Sequence, residues 1–160
     1  MRPIQELVHM YRQAHNGSHA PIEQAIIAKM EHASNMTDYG TVHFVLTQKG
    51  MSDAIMIRAL QLYAKTPIFD GDHVVDIIGR DHSDSIKAVA FKVLADRFLL
   101  LTLQRLEHQG ASPSLQGPLS SAISHCTELC LRGNHTTTLS AFRRHEEAKS
   151  SRVPLRVACV

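Results

Sequence analysis

Apolar positions along this chain recur mostly at steps of three and four, the spacing that lines one side of an α-helix. Pro3 suits the first turn of a helix, and Ile4, Leu7, Val8 and Tyr11 follow at helical spacing until Asn16-Gly17. Ser18 opens a second segment with Pro21 in its first turn, Ile22, Ala25, Ile26 and Met30 on one face, and Asn35 as a stop. These two segments predict an αα-hairpin. From Thr37 to Thr47 the pattern has two readings. Thr37 resembles an N-cap with Tyr39, Val42 and Leu46 at helical spacing, yet Val42 to Leu46 also suits a short strand. Lys49-Gly50 makes a helical stop and no partner strand is evident, so a helix is expected. Ser52 then caps a helix over Asp53–Lys65, barred from continuing by Pro67. After the turn Asp70-Gly71-Asp72, residues His73 to Ile78 predict a short helix capped by Asp72 and stopped by Gly79.

The longest helical pattern runs from Ser83 to His108, with neither Pro nor Gly before Gly110. Ala88, Phe91, Ala95, Phe98, Thr102 and Leu106 follow one side, while Ile86, Ala90, Val93, Leu94, Leu100 and Leu101 cover much of the rest. A helix apolar nearly all round must be buried on most sides. The expected fold is therefore mainly α: a compact bundle of six to eight helices around a long central helix at 83–108, with at most a minor strand near 41–47. The surplus of apolar surface on this helix and on 52–65 predicts association, either as a homodimer or with another helical protein. Phe91, Phe98, Leu99 and Leu106 are the candidate interface residues.

Gly110 to Pro118 (GASPSLQGP) has the composition of a linker. Beyond it Leu119, Ala122, Ile123, Cys126, Leu129 and Cys130 form a stripe that ends at Gly133, and Thr138 can cap a last helix through Lys149. The expected organisation is a helical core over 1–109, a linker over 110–118, and a helical extension with a basic tail over 119–160.

Composition narrows the function classes. With 160 residues, no Trp and 5% aromatic residues, the chain predicts one aliphatic core. Asp96 and Arg97 interrupt the most apolar stretch, so no membrane span is expected. The opening MRPIQELVHMYR lacks an apolar leader, and three cysteines, an odd number, point to reduced thiols in the cytoplasm. The net charge of +2 is uneven: residues 143–160 carry five basic and two acidic residues, and the remainder is slightly acidic. Attraction for nucleic acid would come mostly from that tail.

Four constellations bear on chemistry. Thr37 to Lys65 has the outline of a helix-turn-helix, in which the second helix would enter the groove of a transcriptional regulator's site. Base reading needs Arg, Lys, Asn or Gln near that helix's start, where Asp53, Ala54, Ile55 and Met56 stand instead. Arg58, Gln61 and Lys65 come later, with Arg143, Arg144, Arg152 and Arg156 available for phosphates. Asp72, His73, Asp76 and His82 combine carboxylate and imidazole as a divalent-metal site of a hydrolase would. Carboxylates at helix starts also have a plainer use, stabilising the positive end of the dipole. Cys126, Cys130, His135 and His145, with His125 beside them, are a third candidate, for zinc. The histidine pair is too widely spaced for the usual arrangement, and both cysteines lie on the apolar stripe. Eleven dispersed histidines, the fourth feature, make surface charge sensitive to pH between about 5 and 7. No Gly-rich phosphate loop is present and no catalytic residue or cofactor is assigned. The expectation is a non-enzymatic regulator or adaptor, with a DNA-binding regulator and a metal-dependent hydrolase as alternatives.

Overall fold

The computed structural model describes residues 2–15 and 17–132. Their regular structure is all helical: α1 (Ile4–Gln13), α2 (His19–Asn35), α3 (Gly40–Leu46), α4 (Asp53–Tyr63), α5 (Gly71–Gly79), α6 (Asp84–Asp96), α7 (Leu100–Gln109) and α8 (Pro113–Arg132). The chain divides into two compact units, Met1–Asp70 and Gly71–Val160. The mainly α class is thus the observed one, and 41–47 falls in a helix rather than a strand.

In the first unit, α1 buries Ile4, Leu7, Val8 and Tyr11, the same four positions that the helical spacing selects. Helix α4 supplies the centre of this unit, with Ile55, Met56, Ala59, Leu60 and Tyr63 essentially without solvent contact. Both α2 and α3 pack on it. Its start is set locally: the Ser52 hydroxyl accepts a hydrogen bond from the Ile55 amide at 3.3 Å, satisfying one of the unpaired donors of the first turn.

Thr37 is not the N-cap of α3; Tyr39 holds that position. Thr37 instead closes α2 in a left-handed conformation, with φ of 62°. The Asp38 amide donates to the Ala33 carbonyl at 2.8 Å and the Thr37 amide to the Ser34 carbonyl at 3.3 Å. That pair of bonds defines a Schellman ending, a place usually filled by glycine.

In the second unit the long helix expected over 83–108 is two helices. Its start is capped locally, with the Ser83 hydroxyl accepting from the Ile86 amide at 3.3 Å. After Asp96, however, the chain turns. The Leu99 amide donates to the Leu94 carbonyl and the Phe98 amide to the Ala95 carbonyl, each at 3.0 Å, and Phe98 has φ of 61°. This is a second Schellman ending, again without glycine. The break has a reason in burial. An uninterrupted helix would run about 39 Å, too far for one neighbour to cover an apolar surface on every side. Bending the chain lets α6 bury Ile86, Ala90, Phe91, Val93, Leu94 and Ala95 while α7 buries Leu100 and Leu103 separately. Left-handed placement of a non-glycine residue costs roughly 1–2 kcal/mol. Burying even one leucine contributes about 1.5–3 kcal/mol, so two buried leucines outweigh the turn.

Helix α8 packs against both α6 and α7. Residues 113–118, the greater part of the expected linker, are its opening turns; only Gly110 to Ser112 connect it to α7. Pro113 sits where a missing amide proton has no consequence. Pro118 lies inside the helix, where its ring nitrogen cannot donate to the Ser114 carbonyl. The expected boundaries at 109 and 119 therefore fall within one packed unit, while the division between units falls at Asp70–Gly71.

Candidate functional site

The helix proposed to read DNA is α4. Asp53 and Ala54 are exposed at its start, and Ile55 and Met56 are buried. Arg58 turns toward α2: its Nε donates to Glu31 Oε1 at 3.0 Å, and one terminal nitrogen donates to Gln61 Oε1 at 3.4 Å. Gln61 and Lys65 are exposed, and Lys65 lies beyond the end of the helix. Arg143, Arg144, Arg152 and Arg156 lie outside the described residues.

The structure does not assemble Asp72, His73, Asp76 and His82 into a ligand set. Among the described residues no three His, Cys, Asp or Glu side chains converge to hold a metal ion. The backbone explains this. Asp72 and Asp76 share one exposed side of α5, His73 projects about 100° away from them, and His82 lies past the end of that helix.

On α8, Cys126 and Cys130 are both buried along the apolar stripe. Cys126 is a free thiol. His135 and His145 lie outside the described residues. His125 faces α6, where its Nε2 lies 3.1 Å from Asp96 Oδ1. Burial and the nearby Asp96 carboxylate push the Cys126 thiol up to about 11. Asp96, His125 and Cys126 are thus close in the chain or in space, but they do not form a nucleophilic arrangement. The thiol is protonated at neutral pH, and His125 is paired with the carboxylate on the outer surface of the helix.

Of the candidate interface residues, Phe91 is only 2% exposed and belongs to the core of its own unit. Phe98, Leu99 and Leu106 are half-buried. The largest exposed apolar side chains among the described residues are Met36, Ile68 and Leu131, the last 58% exposed at the end of α8.

The structure also forms a groove that the sequence does not announce. It has a volume of about 460 Å³ in the first unit and opens where the N-terminal ends of α1 and α3 meet α2. Ile4 and Phe44 supply apolar surface, and Gln5, Lys29, Asp38 and Thr41 supply polar groups. Neither helix start carries a side-chain cap. The Thr41 hydroxyl donates to Asp38 Oδ2 at 3.2 Å. Unsatisfied amides and the Lys29 ammonium attract negative charge, and the Asp38 carboxylate opposes it. Asp38 reaches this wall because Thr37 turns left-handed, and no sequence signal marks a threonine for that conformation. A smaller hollow of about 250 Å³ lies between the end of α7 and the start of α8, beside Glu107, Gln116 and Ser120.

No helix among the described residues is long and apolar enough to cross a membrane. The chain matches no protein-family model, no curated protein and no solved structure.

Proposed function

We propose that this protein is a non-enzymatic regulator or adaptor acting through helix-mediated protein–protein contacts, most simply between two copies of itself. The observation that carries this is the elbow between α6 and α7. There Leu99 stands half-exposed, with Leu106 half-exposed on α7. Homodimer interfaces are more apolar than the rest of a protein surface, which suits half-exposed leucines of this kind. The inert Cys126 thiol and the openness of the groove at Lys29 and Asp38 favour binding over catalysis.

Sedimentation equilibrium tests the proposal. A dimer at micromolar concentration is expected, and Leu106→Glu should shift it toward monomer while circular dichroism shows the helix content retained. A wild-type chain that is monomeric throughout that range removes self-association. Pull-down with a purified helical partner then becomes the test of the adaptor role.

The cytoplasmic setting suggested by the odd number of cysteines belongs to this proposal as well. Regulation through duplex DNA and metal-dependent hydrolysis remain the alternatives. A salt-sensitive mobility shift would favour the first, and stoichiometric metal by elemental analysis the second.

A further inference from the structure

We draw no further inference here: the strongest candidate, the open groove beside Lys29 in the Met1–Asp70 unit, carries nothing, because its pull on an anion rests on helix N-termini and a single lysine, which Asp38 on the same wall opposes.

Discussion

The Tyr63 hydroxyl accepts a hydrogen bond from the backbone amide of Asp70 at 2.8 Å and donates to the Ile68 carbonyl at 3.3 Å. One buried side chain at the end of α4 thereby holds the segment that ends the first unit. Its ring also packs on Phe69, with centroids 5.3 Å apart. Tyr63→Phe keeps the ring and removes the hydroxyl, leaving the Asp70 amide short of this partner. The expected loss is about 1–3 kcal/mol in urea denaturation. Amide exchange at Asp70 should quicken more than exchange in α1. A variant as stable as the parent would show that the hydroxyl does not hold this segment.

Alkaline pH should weaken the fold through buried acids. Cys126 has an ordinary thiol value of 9.0, raised in the folded state to about 11 by burial first and Asp96 second. Below pH 9 both folded and unfolded thiols keep their protons, so stability does not change on this account. Between pH 9 and 11 the unfolded chain loses the proton while the folded chain keeps it, which favours unfolding by up to roughly 2 kcal/mol. Tyr63 is raised in the same direction, chiefly by burial, and adds to the loss above pH 10. Urea midpoints measured at pH 8, 9.5 and 10.5 should fall in that order, and Cys126→Ala should flatten the first part of the fall. Midpoints that stay level to pH 10.5 would contradict a buried protonated thiol.

Thr37 is exposed, β-branched and left-handed, a combination that stores strain at the end of α2. Thr37→Gly should relieve the strain by more than it costs in unfolded-chain entropy, raising stability by about 0.5 kcal/mol. Thr37→Pro, which fixes φ near −65°, should lower it by several times that amount. The thermal midpoints of the two variants must therefore move in opposite directions. If both fall, the left-handed turn is not the conformation held in solution.

Pro118 removes a hydrogen bond from the interior of α8. Pro118→Ala would restore a donor to the Ser114 carbonyl and should stabilise the second unit by about 1 kcal/mol or more. Pro118 is half-buried, so the alanine also gives up some packing. Guanidinium unfolding followed by circular dichroism reads the balance; a clear loss of stability would mean that the ring's contacts outweigh the missing bond.

The candidate chemistry was legible only as far as it was local. Asp72, His73 and Asp76 look like a cluster because they are near in sequence, but helical geometry spreads them over α5 and His82 falls outside it. Arg58 reads as an available cation until its partner appears: Glu31, 27 positions earlier, on a helix packed alongside. Likewise the groove at Lys29 joins residues from three separate helices, and no spacing rule connects them.

Local patterning by itself determined the helical class, the buried side of α1, and the starts of α4 and α6. Periodicity and a serine cap act within one or two turns, through the same residues that carry them. Tertiary packing alone decided the elbow at Phe98, the left-handed turn at Thr37 and the absorption of Pro113 to Pro118 into α8. At the elbow and along α8, burial against a packed helix overrides a local preference of about 1–3 kcal/mol, and a preference of that size is all that a short stretch of sequence displays.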